Sequence, residues 1–218
     1  MLRGVDALFD FSEGNIGILG KKKSGKTTLG NIIAGTIKPT QGHIYRSIRV
    51  SWPVSWRGIG GDTPGDAIIS FFARVYQIDR KSTLEFVAEL AGLEKKIYKS
   101  FKEYSASEKN RFMQALLIAL SFDVYFIDES LPPIDSLYKQ MYDAVWSDCL
   151  KNSRILATSS NPKILSKHCD NVALLFNGQL SEVMSRDSAT QVFKQAIVQE
   201  RKKLPQHEQK KVSLCENA

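Results

Sequence analysis

The sequence predicts an α/β fold built on a mostly parallel sheet, with a helical subdomain inserted into it. Three observations carry this. Apolar runs of strand length alternate with stretches of helical period at both ends of the chain, and strands that alternate with helices pair in parallel. A loop dense in Gly and Lys separates the first apolar run from the first helix. Between about Thr63 and Phe122 the pattern is helical almost throughout.

Asn15–Leu19 is a short Ile-rich run and reads as a buried strand. After the Gly/Lys loop, Lys26–Thr36 places Leu29, Ile32 and Ile33 at helical spacing, with Gly35 near the end. Lys38–Gly42 is a turn, Ile44–Val54 alternates as one or two strands, and Ser55–Pro64 is a Gly-rich loop. Thr63, Pro64 and Asp66 predict a helix start with a hydroxyl cap, and Ile68, Ile69, Phe72, Val75 and Tyr76 form its apolar face. Ser82-Thr83-Leu84-Glu85 fits a capping box for a second helix that ends near Gly92. A third helix is expected over Ser107–Leu120, a strand over Asp123–Asp128, a helix over Asp135–Leu150 and a strand over Arg154–Thr158. Asn161-Pro162 opens a short helix to His168. Asn171–Phe176 and Gln179–Val183 flank Asn177-Gly178 as a hairpin, and Ser188–Glu200 is helical.

Composition narrows the class. Forty-three per cent hydrophobic and 24% charged residues is an ordinary globular balance. The longest apolar runs, such as Ala115–Leu120, fall far short of the ~20 residues that cross a bilayer. The first residues carry no apolar segment of the kind a secretory signal needs. Cys149, Cys169 and Cys215 are distant from one another, so no zinc site or disulfide framework is expected, and a reducing cytoplasm fits. His43, His168 and His207 are assigned to no metal. The net charge of +7 gathers partly at Lys21–Lys23, read as a solvated run, and in a basic tail. No nucleic-acid-binding pattern accompanies it, so no nucleic-acid partner is expected.

Gly20-Lys21-Lys22-Lys23-Ser24-Gly25-Lys26-Thr27 matches the phosphate-loop pattern GxxxxGK[ST] at every fixed position, with a strand before it and a helix after. Gly20 and Gly25 permit torsions that a Cβ forbids, so backbone N–H groups can point at phosphate oxygens. The following helix aims its positive end at the same anion. Lys26 is expected on the β- and γ-phosphates, Thr27 on Mg²⁺, and Thr28 near the α-phosphate. The expected fold is therefore a P-loop NTPase (RecA-like) core, and the expected ligands are ATP and Mg²⁺. Residues 1–62 and 123–200 would form the nucleotide-binding core, 63–122 the inserted helical subdomain, and 201–218 a disordered basic tail.

Val124–Ile127 is apolar and ends in Asp128-Glu129. In P-loop NTPases such a strand delivers an Asp to the Mg²⁺ shell. Asp128 takes that role, and Glu129 is placed to activate water for attack on the γ-phosphate. No guanine-recognition motif or arginine-rich lid supports a GTPase or a small kinase, and no heptad run supports a coiled-coil repair ATPase.

The order of these pieces resembles an ABC-transporter ATP-binding subunit over roughly Ser12 to Gln195. Tyr104-Ser105-Ala106-Ser107-Glu108-Lys109-Asn110-Arg111 stands where that family has a signature near LSGGQ. The chain is most similar to the branch that exports capsular and related polysaccharides. Val50-Ser51-Trp52-Pro53-Val54, Phe71–Tyr76, the Tyr-Ser opening of the signature, Arg111, Cys169-Asp170 and the Asn177-Gly178 hairpin all resemble that branch. The resemblance implies that Ser105 and Ser107 bind the γ-phosphate of a second subunit. It implies a homodimer with two ATP sites at its seam, docked to a separate integral-membrane polysaccharide-export permease at the cytoplasmic face of a bacterial inner membrane. The chain departs from the family at Ala106, Ser107 and Glu108, and Glu108 would repel a γ-phosphate that it faced. It departs again at Gly60 and Gly61, where a Mg²⁺-sensing Gln is usual, and at Ser159, where a switch His is usual. An adenine-stacking aromatic is also out of its usual place, with Phe9 and Phe11 as substitutes. These departures predict a slow ATPase. The alternative is a regulatory subunit that binds ATP without turnover.

Overall fold

A computed structural model describes residues 2–54 and 59–203, with the backbone alone for 200–203. The chain divides into two units. One gathers the described residues up to Lys26 and those from Ala157 onward; the other is Thr27–Leu156.

In the first unit, β1 (Ile16–Gly20) is buried along its whole length, as an apolar run without alternation requires. It pairs in parallel with β4 (Asn171–Phe176), with Ile16 opposite Asn171 and Gly20 opposite Leu175. Gly17 admits α6 (Pro162–Leu165) against the strand: a Cβ there would lie 3.1 Å from Leu165 Cδ1 and 3.3 Å from Val172 Cγ2. Asn161 caps α6 by accepting the Lys163 N–H at 3.0 Å. The expected hairpin is present, β4 running antiparallel to β5 (Gln179–Leu180) through Asn177 at φ 49 and Gly178 at φ 83. Positive φ at both loop residues is the condition for a turn whose twist matches the strands. β6 (Met184–Ser185) also pairs with β4. β3 (Arg154–Ser159) is shared between the units, and the order within the first is β3-β1-β4-β5. α7 (Arg186–Lys203) begins two residues ahead of its expected start and buries Ala189 and Phe193. It continues through the first residues assigned to the basic tail; 204–218 lie outside the described residues.

In the second unit, α1 (Lys26–Ala34, entered at Thr27) lies on β2 (Val124–Asp128). Gly30 permits the approach, because a Cβ there would fall 2.0 Å from Phe126 Cζ. Phe126 is fully buried, so its ring has nowhere to retreat. Alanine would gain about 1 kcal/mol of helix propensity at Gly30. Overpacking costs typically 1–3 kcal/mol, and this overlap is severe, so the clash outweighs the gain. Gly30→Ala is therefore expected to lower unfolding free energy by about 1–2 kcal/mol, read as a lower denaturant midpoint at unchanged slope.

The helical stretch consists of α2 (Gly65–Tyr76), α3 (Arg80–Ala91) and α4 (Ala106–Ala119), followed after β2 by α5 (Ser136–Cys149). Their apolar faces meet in one core that includes Ile69, Val87, Leu93, Phe101, Phe112, Leu116, Tyr142 and Trp146. Trp52 stacks on Phe72 at 4.9 Å and meets Phe122 edge-on at 5.4 Å.

Three local expectations need correction. The Ile44–Val54 strands do not form: only Val50 bridges Val124. Arg46 instead turns its guanidinium into the end of α1 and donates to the Ile32 and Ile33 carbonyls, satisfying groups that a helix end leaves open. The cap of α2 is Pro64, without a side-chain bond, while the Thr63 carbonyl accepts from Phe101 N at 2.9 Å. α3 starts before the expected capping box, because the Asp79 carboxylate accepts the Ser82 N–H at 2.8 Å and draws Arg80 and Lys81 into the first turn.

Candidate functional site

The phosphate-loop residues up to Lys26 belong to the first unit, where β1 delivers the chain to the loop. A Cβ at Gly20 would lie 2.5 Å from the Leu175 carbonyl oxygen and 2.8 Å from Ser24 Oγ, so no other residue fits. Gly25 has φ 103, a conformation that costs Gly alone nothing. Lys23 has φ 64, a left-handed conformation that costs a residue with a Cβ roughly 1–2 kcal/mol. The loop closes with Ser24 N donating to the Lys21 carbonyl at 3.2 Å.

Lys26 is only 5% exposed, and its ammonium reaches back across the loop to donate to the Lys21 carbonyl at 2.8 Å. The positive charge is thus held inside the bend. Ser24 Oγ is buried and makes no hydrogen bond. An orphaned hydroxyl in a loop that also holds a buried ammonium and two residues of positive φ, Lys23 and Gly25, fits a phosphate group. Lys21, Lys22 and Lys23 are exposed, as a solvated run would be. With Arg3, Ser24 and Leu175–Gly178 they line a basic cavity of about 620 Å³.

Thr27 follows Lys26 by one peptide bond and belongs to the second unit. Its Oγ1 donates to Asp128 Oδ2 at 2.8 Å, so the structure brings together the two residues assigned to Mg²⁺ from sequences a hundred residues apart. A hydroxyl and a carboxylate at this separation form an all-oxygen donor pair that suits a hard cation retaining several waters. Thr28 is exposed beside Thr27. Glu129 has φ 63, and Ser130 N donates to the Asp128 carbonyl at 2.8 Å, so the chain reverses tightly around the candidate base.

At the signature, Ser105 caps α4. Its Oγ accepts the Glu108 N–H at 3.2 Å while the Glu108 carboxylate accepts the Ser105 N–H at 2.6 Å. The repulsion expected of Glu108 requires that its carboxylate face a phosphate. The structure turns it inward, with Lys96 Nζ at 2.8 Å. Burial would raise the Glu108 carboxyl, but Lys96 and the Ser105 amide outweigh it and hold the group below the usual carboxylate range. The Ser107 hydroxyl is also engaged: it donates to Asp135 Oδ2 at 2.5 Å, where Arg111 pairs with the same carboxylate. Tyr138 covers the Arg111 guanidinium at 4.0 Å. Ser105 is exposed at the start of α4, where its hydroxyl accepts from Glu108 N and keeps a proton to donate. Asp135, Gln114 and Lys96 went unrecognised in the sequence. Asp135 had a signal, since an Asp after two prolines and ahead of a helix is a cap candidate, yet its carboxylate makes no cap bond.

Gly61 offers only its carbonyl, which accepts from Lys102 N at 2.7 Å, and Ser159 Oγ accepts from Asn161 N at 3.1 Å. Neither supplies a long polar side chain. Burial pushes the Cys169 thiol up to about 12, which leaves it without nucleophilic character near neutral pH. Among the described residues no group of three or more His, Cys, Asp or Glu converges, and no helix is long and apolar enough to cross a membrane.

A phosphate loop between a buried strand and a helix, with an apolar strand ending in Asp-Glu, defines a P-loop nucleotide-binding subunit. A profile of the ABC transporter family matches residues 6–131, more than half of the chain, and the chain belongs to that family. It is 32% identical over 187 residues to the ATP-binding protein BexA of Haemophilus influenzae, covering 85% of this chain and 86% of that one. It is 31% identical over 190 residues to the capsule polysaccharide export ATP-binding protein CtrD of Neisseria meningitidis, covering 86% and 88%. A solved ATP-binding subunit of an ABC transporter superposes with TM-score 0.66 at 18% identity, covering 83% of this chain and 82% of that one, which supports the fold.

Proposed function

We propose that this chain is the ATP-binding subunit of an ABC transporter that couples ATP binding and hydrolysis to polysaccharide export across the inner membrane. The observation that carries the ATP reading is the Thr27–Asp128 bond of 2.8 Å, one peptide bond beyond the buried Lys26. Kinship with CtrD, a capsule polysaccharide export protein by name, supports the cargo class.

In this reading Gly20–Ser24 and Gly25 wrap the phosphates with backbone amides, Lys26 neutralises the β- and γ-oxygens, and Thr28 reaches the α-phosphate region. Thr27 and Asp128 would hold Mg²⁺, which screens phosphate charge when bound. Glu129 accepts a proton as a water oxygen bonds to the γ-phosphorus, and the bond to the β,γ-bridging oxygen breaks to leave ADP and phosphate. Ser105 and the Ser107 backbone, at the start of α4, grip the γ-phosphate of a second copy in a homodimer. Residues 63–122 serve as the signature subdomain, and 1–62 with 123–200 as the nucleotide-binding core. On α2, Phe71 and Val75 are more than half exposed, and this apolar pair suits contact with an integral-membrane permease at the cytoplasmic face. The missing sensor Gln and switch His make turnover slow.

Steady phosphate release from Mg²⁺-ATP by the purified chain tests this. Release above that of Glu129→Gln supports the enzyme. Binding without release would leave the regulatory alternative.

A further inference from the structure

We propose that Gln114 is a positioning residue for hydrolysis, holding the backbone that presents Glu129. The inference rests on Glu129 acting as the proton acceptor.

Glu129 sits at φ 63 in a three-residue turn closed by Ser130 N and the Asp128 carbonyl. Such a turn is strained for a residue with a side chain, and it persists only where the chain is fixed on both sides. Upstream, Asp128 ends β2 and is held by Thr27. Downstream runs Ser130-Leu131-Pro132-Pro133-Ile134-Asp135. Two consecutive prolines bring carbonyls without N–H groups, so donors from elsewhere must fix this segment.

One face of α4 supplies them. Gln114 Nε2 donates to the Pro132 carbonyl at 2.8 Å, Asn110 Nδ2 to the Pro133 carbonyl at 3.2 Å, and Ser107 and Arg111 hold the Asp135 carboxylate. Positions 107, 110, 111 and 114 recur at helical spacing, so they form a polar stripe facing the loop. Gln114 grips closest to Glu129, three residues on. It is 1% exposed, and its Oε1 accepts from Trp146 Nε1 at 3.0 Å. With both ends of the amide engaged, its orientation is fixed and its N–H is committed to Pro132. A buried amide that served packing alone would have no need to reach this loop.

The test compares Gln114→Met, which keeps the volume and loses both bonds, with Gln114→Glu, which still accepts from Trp146 but gives Pro132 no donor. Phosphate release and ATP binding are measured on the full chain with Mg²⁺-ATP, and thermal melting confirms folding. In both variants kcat is expected to fall roughly 10- to 100-fold, the scale of a displaced catalytic group, while ATP affinity changes less than about threefold. Trp146→Phe, which removes the outer bond and part of the ring packed on Tyr125 but leaves the Gln114 donor to Pro132, should lower kcat less. A kcat within about twofold of the unaltered chain in a folded Gln114 variant overturns the proposal, as does an equal loss of ATP affinity and kcat. No release by the unaltered chain overturns the hydrolysis reading itself, and this inference with it.

Discussion

Replacing Lys26 by alanine lowers ATP affinity at least about 100-fold while leaving the protein folded. The ammonium is 5% exposed and enclosed by its own loop. A charge-assisted bond to phosphate in such surroundings contributes about 1.5–3 kcal/mol each, and each 1.4 kcal/mol is about tenfold in affinity. Lys26 Nζ also donates to the Lys21 carbonyl at 2.8 Å, and thermal melting reads what that contact contributes to folding. Lys26→Arg should not restore affinity, because a planar guanidinium does not occupy the space of a compact ammonium. Equilibrium titration with Mg²⁺-ATP, paired with thermal melting, separates the two effects. ATP affinity within about twofold of the unaltered chain would count against the loop as the phosphate site.

Glu129→Gln is expected to cut phosphate release roughly 10²- to 10⁴-fold, the usual worth of a general base, with ATP affinity unchanged or raised. The amide keeps the side chain's size, so the tight turn at φ 63 is no more strained than before. What disappears is the acceptor for the water proton. Asp128→Asn should behave differently, weakening ATP binding in the presence of Mg²⁺, because Asp128 bonds Thr27 and would hold the cation with it. If the two variants lose activity in the same way, with the same change in affinity, the division of labour between the two acids is wrong.

Much of this arrangement was legible in the sequence because it is written locally. The phosphate loop is eight consecutive residues, and two glycines in it have no alternative on steric grounds. β2 declares itself by four apolar residues followed by two acids. The hairpin follows from Asn177-Gly178, which alone among the nearby residues tolerates positive φ twice in succession. What was not legible depends on contacts across sequence distance. Ser107 meets Asp135 at a separation of 28 residues, and Gln114 meets Trp146 at 32. Nothing in a helical period shows that one polar face of α4 serves a proline-rich loop rather than solvent. The partner of Glu108 is hidden in the same way: Lys96, twelve residues earlier, pairs with its carboxylate. The strands expected over Ile44–Val54 do not form, and Arg46 within that stretch instead donates to carbonyls at the end of α1.

Position 23 shows the limit of pattern matching. The phosphate-loop pattern leaves that residue free, yet the backbone there is left-handed at φ 64, a cost that a pattern of side-chain types does not record.

The central claim is that this loop recognises phosphates, and it is tested most directly by measuring the affinities of the unaltered chain for ATP, ADP and AMP with Mg²⁺ under one condition. If amides, Lys26, Thr27 and Asp128 hold the β- and γ-phosphates, affinity falls stepwise from ATP to ADP and drops sharply at AMP. Equal affinity for all three, or no measurable affinity for ATP, would contradict the account.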